Sequence, residues 1–196
     1  IARQVLEPEL LKHVSFDPYF TEILLHEIAH GMGPGKIKVD GRETSVNREL
    51  KELYPAIEEC KADIVGLVNG AFLIRKRALP RAMRRQLPAT YVAGFFRAVR
   101  FGTEEAHARA VLLGFNYLRQ AGAITRDEKT GRFGVNYRLF DRKVRELAGK
   151  LLLVQARGSY EEARKLLETH GKPTDEIKQA VAGLSDVPVD IRPHYT

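Results

Sequence analysis

One short stretch of the sequence has residue types and spacing that fit metal chemistry. His26 and His30 stand four positions apart, with Glu27 between them, in the pattern H-E-x-x-H. Four residues is just over one helical turn, so in a helix both imidazoles project from one face and can bind a single Zn²⁺. Glu27 would lie beside them, where it can take a proton from a water on the metal. The competing interpretation is a surface helix with two solvated histidines.

A catalytic zinc needs a third protein ligand, and the acidic cluster Glu58-Glu59-Cys60-Lys61-Ala62-Asp63 offers one on a second predicted helix. Adjacent carboxylates on a helix point about 100° apart, so only one of Glu58 and Glu59 can face the metal. Asp63 follows Glu59 by four residues and shares its face, where it can accept the second N–H of a ligating histidine. The spacing favours Glu59 as the ligand and Asp63 as its support. Glu58 is the alternative ligand, and a solvated acidic face is the competing interpretation of the cluster.

The helix that carries the two histidines is predicted to run from about Pro18 to His30, with Asp17 as its cap. Apolar residues recur along it at three- and four-residue spacing, which predicts one face packed on the core. These positions are Phe20, Ile23, Leu24 and Ile28.

The remaining pattern predicts a mainly α fold with one or two small β-hairpins. A second long helix is predicted from the cap Ser45 through Phe72, kinked at Pro55. Further helices are predicted near 89–101, 103–120 with the cap Thr103, 141–156, 160–169 after Ser159, and 175–184 after Thr174. Hairpins are predicted at the turn Asp40-Gly41 and over 123–137, and an extended tail is predicted over 187–196.

Composition places the chain among ordinary globular proteins. Its 196 residues are 44% hydrophobic and 29% charged, which suits one domain with a core of its own. The single Cys60 cannot form an intrachain disulfide, and the sequence contains no apolar run of eighteen residues. We therefore expect a cytoplasmic protein without a membrane partner.

These motifs together resemble the zinc-binding part of the dipeptidyl peptidase III family of metallopeptidases, especially its bacterial members and their relatives fused to nudix domains. The resemblance covers residues 16–195 and includes the glycine-rich run after His30 and the segment Glu105-Ala106-His107. The family's hallmark motifs are H-E-x-x-G-H and E-E-C-[KR]-A-[DE]. The second is present almost verbatim, whereas the first has five residues, as in ordinary zincins.

The resemblance implies a role for each residue of the site and one Zn²⁺ per chain. The implied residues are the zinc ligands His26, His30 and Glu59, the water-activating Glu27, the supporting acid Asp63, and His107 near the scissile bond. In this family the histidine at that place is thought to help bind substrate or stabilise the transition state. On residue type alone, His107 could equally be a partly buried helix histidine.

The resemblance also implies a function and two partners. The family removes dipeptides from the N-terminus of short peptides, by zinc-assisted hydrolysis in a cleft between two lobes. Residues 1–196 would then form a single helical zinc-binding domain, the C-terminal catalytic lobe of a longer two-lobed peptidase. Its partners would be a short peptide substrate and the N-terminal lobe of the same protein.

Two other functions compete with the peptidase. One is a non-catalytic zinc-binding scaffold lobe. The other is a basic winged-helix-like nucleic-acid-binding domain, suggested by a net charge of +7, the arginine-rich segment 75–85, and a helix followed by the hairpin 123–137. Against it, that helix lacks a run of basic residues aimed at a groove, and its apolar residues Leu112, Leu113, Phe115 and Leu118 are predicted core. We therefore do not expect nucleic acid as a partner.

Overall fold

The fold is mainly α-helical with two small hairpins, as the sequence predicts. The structure is a computed structural model that describes residues 1–100, 102 and 106–188. Its helices are α1 (Ala2–Val5), α2 (Phe16–His30), α3 (Val46–Leu50), α4 (Tyr54–Arg75), α5 (Met83–Val99), α6 (Ala106–Gln120), α7 (Tyr137–Arg157), α8 (Tyr160–His170) and α9 (Asp175–Ala182). The antiparallel hairpins pair β1 (Lys36–Val39) with β2 (Arg42–Ser45) and β3 (Ile124–Arg126) with β4 (Phe133–Val135). None of these helices is both long and apolar enough to span a bilayer.

Helix α4 is the centre of the fold. It packs against α2, α6 and α7, and its residues Ile57, Cys60 and Ile64 are fully buried. A helix enclosed by three others is held mainly by this packing rather than by its own propensity. The predicted core positions of α6 are confirmed, and these are Leu112, Leu113, Phe115 and Leu118.

The backbones of α2 and α4 approach each other closely at Gly66. A Cβ atom built on Gly66 would lie 3.2 Å from the backbone nitrogen of His26 and 3.2 Å from the carbonyl carbon of Leu25. Only glycine gives α2 this approach without a shift of its backbone, because those neighbouring atoms are main-chain atoms rather than flexible side chains. The contact fixes the distance between the backbone of His26 and α4.

The predicted core face of α2 is wrong. Phe20, Ile23, Leu24 and Ile28 are exposed, and the buried residues of this helix are Pro18, Leu25 and Ala29. The close approach at Gly66 explains why another face of α2 is buried. Two helices in such close contact leave room between them only for small residues such as Ala29, so the large apolar residues lie on the opposite side of α2. They form, with Phe16 and Met32, what we call the apolar α2 surface.

The second long helix is broken rather than kinked. Helix α3 ends at Leu50, a 3-10 turn spans Lys51–Leu53, and α4 begins at Tyr54. Lys51 has a φ of 52°, outside the helical region. Pro55 therefore stands in the first turn of a new helix, where its missing N–H costs no hydrogen bond.

Most other element boundaries lie near the predicted ones, but α2 begins at Phe16 after the N-cap Ser15, so the predicted cap Asp17 is wrong and this residue lies in the first turn. Ser159 and Thr174 cap α8 and α9 through side-chain oxygens, as expected. Helix α5 begins at Met83, earlier than predicted, and contains Pro88. The predicted cap Thr103 and residues 189–196 of the predicted tail lie outside the described residues.

The contact at Gly66 predicts opposite effects for two glycine-to-alanine changes. Gly149 lies in α7 with nothing within 4 Å of a built Cβ, so Gly149→Ala should stabilise the protein by about 0.5–1 kcal/mol through helix propensity. Gly66→Ala should lower stability despite the same propensity gain, because its methyl group pushes α2 away from α4. Thermal unfolding of both variants measures this, and equal stabilisation by the two would contradict the contact.

Candidate metal centre

Three side chains from two helices converge on one point. His26 and His30 lie one turn apart on α2, and their Nε2 atoms are 3.0 Å apart. On α4, Glu59 places Oε2 3.6 Å from Nε2 of His26 and Oε1 3.7 Å from Nε2 of His30. One ligand atom from each residue thus lies within 4.8 Å of the others.

These separations suit a tetrahedral metal ion. Zinc binds imidazole nitrogen and carboxylate oxygen at about 2.0–2.1 Å, which places neighbouring ligand atoms about 3.3 Å apart in a tetrahedron. The observed separations of 3.0, 3.6 and 3.7 Å lie on either side of that value. The chemistry of the donor set, two imidazoles and one carboxylate, also suits zinc.

A carboxylate fixes the tautomer of His26. Nδ1 of His26 donates a hydrogen bond of 2.6 Å to Oδ1 of Asp63. An ionised carboxylate can only accept, so Nδ1 carries a proton, and in the neutral ring a lone pair then points outward from Nε2. The same hydrogen bond raises the pKa of His26, against the opposing effect of burial.

His30 is oriented in the same way by Glu58. Its Nδ1 donates to Oε1 of Glu58 at 3.0 Å, so in the neutral ring its Nε2 also presents a lone pair. Without a metal ion, a protonated Nε2 of one ring can donate to the Nε2 of the other at 3.0 Å. With a metal ion, both rings can be neutral and direct their Nε2 lone pairs at it. Glu58, the alternative ligand of the sequence analysis, is thus on the far side of His30, and Glu59 is the carboxylate beside both Nε2 atoms.

Lys61 and Gln155 complete the site, and the sequence analysis missed both. Lys61 is only 1% exposed, and its ammonium lies 2.7 Å from Oε1 of Glu58. The amide of Gln155, on α7, donates to Oε2 of Glu58 at 2.7 Å. Both contacts hold Glu58 against His30, as hydrogen-bonded partners of metal ligands commonly do.

Lys61 also fastens the end of α2 to α4. Its ammonium donates to the carbonyl oxygens of Ala29 at 2.7 Å and Met32 at 2.9 Å. Carbonyls at the C-terminus of a helix lack partners within the helix, and a cation there interacts favourably with the helix dipole. Lys61 therefore does not lie on the solvated acidic face that was the competing interpretation of this cluster, and its place between Cys60 and Ala62 was the available signal of burial.

Glu27 lies next to His26 along α2, and His107 lies beside Glu59. Glu27 is exposed, and its charge contributes to the raised pKa of His26. Nδ1 of His107 is 3.2 Å from Oε2 of Glu59, and its side chain is 57% exposed. The hydrogen bond between them lowers the pKa of Glu59 and raises that of His107. All six predicted site residues therefore lie close together, whereas Glu105 of the third motif lies outside the described residues.

Comparison with known proteins gives two solved structures of the same fold. The structure of DPP III from Caldithrix abyssi is 44% identical with a TM-score of 0.97, over 98% of this chain and 37% of that chain. Dipeptidyl-peptidase III from Corallococcus sp. strain EGB is 36% identical with a TM-score of 0.94, over 98% of this chain and 36% of its own. The helical fold of the chain is therefore that of about a third of these structures.

A curated relative carries a different name. Nudix hydrolase 3 from Arabidopsis thaliana is 38% identical over 198 residues, which is 100% of this chain and 26% of that protein. No protein-family model matches the sequence. The chain thus spans about a quarter of the curated relative, and the expected similarity to bacterial dipeptidyl peptidase III proteins is supported by the two solved structures.

The buried contact between Lys61 and Glu58 predicts a non-additive pair of substitutions. Lys61→Met leaves the Glu58 carboxylate without its cation and should cost about 3 kcal/mol of stability. Adding Glu58→Gln removes the stranded charge and should restore part of that loss. Urea unfolding of both single variants and the double variant measures the coupling, and a double variant as unstable as the sum of the singles would contradict it.

Proposed function

We propose that this chain is the zinc-binding part of a metallopeptidase similar to dipeptidyl peptidase III, which releases dipeptides from the N-terminus of short peptides. One observation carries the proposal: the Nε2 atoms of His26 and His30 lie 3.0 Å apart beside the Glu59 carboxylate. With both rings neutral, this arrangement is favourable when a cation lies among the three groups, and a metal ion would take that place. The similarity to two peptidases over almost the whole chain supports the same proposal.

His26, His30 and Glu59 would hold one Zn²⁺ per chain. Three protein ligands leave a fourth position open, as in catalytic rather than structural zinc sites. Zinc in this place would supply Lewis-acid chemistry, polarising a peptide carbonyl and lowering the pKa of a water.

Glu27 is the proposed general base. It follows His26 directly in α2 and is exposed. Its carboxylate would take the proton from the attacking water and return it to the leaving amine. For this the carboxylate must reach both the water oxygen and the amine nitrogen. Its position at the surface of α2, beside the metal ligands, leaves it room for that movement.

His107 is the proposed stabiliser of the developing oxyanion. Its Nδ1 is engaged by Glu59, at 3.2 Å, so Nε2 is the nitrogen left for substrate. Contact with Glu59 raises the pKa of His107, and in the protonated ring Nε2 is a donor. A donor aimed at the carbonyl oxygen of the scissile bond stabilises the charge that forms there.

The apolar α2 surface is the proposed contact with the N-terminal lobe. Exposed apolar patches of this kind mark interaction sites, and this one includes Leu24 and Ile28, on either side of Glu27 along α2. The matched structures are each nearly three times as long as the part this chain covers. A lobe seated on this surface would form the other wall of a substrate cleft at the zinc site.

A nucleic-acid-binding domain fits the structure less well. Helix α6, which would be the recognition helix, packs against α4, α5 and α8. A recognition helix must present one face to the major groove. Burial of Ala110, Val111, Leu112, Leu113 and Phe115 in succession leaves this helix no such face along that stretch.

Glu27→Ala in the full-length polypeptide that contains this chain tests the peptidase proposal. We expect zinc content to stay unchanged while dipeptide release from short peptides falls by about 10³-fold or more, since Glu27 acts on the water and not on the metal. Zinc is measured by mass spectrometry and dipeptides by chromatography. Glu59→Ala, as the comparison, should lose the zinc itself.

Two results would contradict the proposal. Unchanged dipeptide release by Glu27→Ala would remove Glu27 from the mechanism. Zinc bound at one per chain without any release of dipeptides by the wild-type polypeptide would favour the non-catalytic scaffold.

Two leucines of similar exposure test the lobe contact. Leu24, in the apolar α2 surface, is 48% exposed, and Leu153, on α7, is 51% exposed. In the full-length polypeptide, Leu24→Ala should cost about 2 kcal/mol because it opens a cavity in a covered contact. Leu153→Ala should cost about 0.5 kcal/mol or less, as at an open surface. Equal losses in thermal unfolding would contradict a lobe seated on α2.

A further inference from the structure

A cleft lies away from the candidate metal centre. It has a volume of about 700 Å³ and is formed by the C-terminal half of α4, the connection to α5, and the first turns of α5 and α7. Ala71, in its wall, follows Glu59 by twelve residues along α4, which is about 18 Å along the helix axis. The cleft is therefore separate from the zinc site, and its volume is that of a binding pocket.

The floor of this cleft is aliphatic. It is built from side chains of α4, α5 and α7, among them Leu67, Val68, Ile74, Met83, Leu87 and Val144. Such a floor takes apolar side chains or an acyl chain, because it offers no polar group to hydrogen-bond within it.

The rim of the cleft is strongly basic. Five exposed arginines line it, namely Arg75, Arg77, Arg81, Arg84 and Arg145, against the single carboxylate Asp141. Within the part of the chain that the structure describes, ion pairs at 4.0 Å or less are made by other arginines and by none of these five. Like charges at this density repel one another, so an occupant bearing several negative charges is favoured.

We propose that this arginine-rimmed cleft binds an acidic amphipathic helix of a separate protein. The apolar face of such a helix would fill the aliphatic floor, and carboxylates on its flanks would meet the guanidinium groups, which pair with carboxylates in bidentate geometry. Side chains three and four residues apart on one helix face match a cleft that runs between packed helices.

The basic rim and the aliphatic floor together favour an acidic amphipathic helix over a fatty acid or a nucleic acid. A fatty acid carries one negative charge and would leave most of the five arginines unmatched. A nucleic acid matches the charge, but its phosphates and sugars would gain nothing from an aliphatic floor. The apolar α2 surface is suited to a permanent contact within the polypeptide. The charged rim of the cleft stays well solvated when the cleft is empty, so it suits a partner that binds transiently.

The test uses a synthetic peptide on the full-length polypeptide. The probe is an acetylated, fluorescent helix of about sixteen residues, with leucines on one face and glutamates on the flanks, about 24 Å long as a helix. Acetylation keeps it from presenting a free N-terminus to the zinc site. We expect binding by fluorescence anisotropy that weakens with added salt and is unaffected by a chelator.

Matched variants assign the binding to the cleft. Arg81→Glu with Arg84→Glu should weaken binding about tenfold or more, and both acids suit the N-terminal end of α5, so the fold is retained. Arg48→Glu with Lys165→Glu makes the same change in net charge at exposed positions elsewhere and should leave binding unchanged. Ala71→Phe fills the cleft without a change in charge and should also weaken it.

Four results would overturn the proposal. They are no binding of the probe, equal weakening by the two charge-reversal pairs, equal binding of a probe with glutamines in place of glutamates, and displacement of the probe by duplex DNA or by dodecanoate. A cleft already covered by another part of the polypeptide would give the first of these results.

Discussion

The candidate metal centre depends on two hydrogen bonds that leave the histidines no other orientation. Asp63 takes the Nδ1 proton of His26, and Glu58 takes that of His30. Each bond turns its ring so that Nε2 points to the same place, where Glu59 adds a carboxylate oxygen. Two ring nitrogens and a carboxylate oxygen so close together can bind one metal cation, and the two carboxylates behind the rings would make the histidines stronger ligands.

The rest of the fold holds α2 and α4 at fixed positions relative to each other. Gly66 lets their backbones touch at His26, and Lys61 ties the last carbonyls of α2 to the acid that holds His30. Gln155 brings α7 into the same network. A shift of α2 by a fraction of an ångström would therefore disturb the ligands and their supports together, which is what a preorganised metal site requires. Glu27 and His107, the residues proposed to act in catalysis, lie beside the ligands that this network holds in place.

The sequence predicts which side chains come together at the candidate metal centre, and it predicts their surroundings less well, for physical reasons. Local spacing determines which face of a helix His26 and His30 share, and it also predicts capping residues such as Ser159. It cannot say what covers an apolar stripe, so Leu24 is assigned to the core although it is exposed. Gln155 lies 97 residues from Glu58 in the chain, and no local pattern links residues so far apart. Pro55 suits both a kink and a helix start, and the backbone at Lys51 decides between them.

Anomalous diffraction at the zinc absorption edge, from crystals of the full-length polypeptide, tests the central claim most directly. The account predicts one zinc peak per chain about 2.0–2.1 Å from Nε2 of His26, Nε2 of His30 and an oxygen of Glu59. Glu58 and Asp63 should remain on the Nδ1 atoms. A peak bound by Glu58 in place of Glu59, or no peak between the two histidines of a folded chain supplied with zinc, would contradict it.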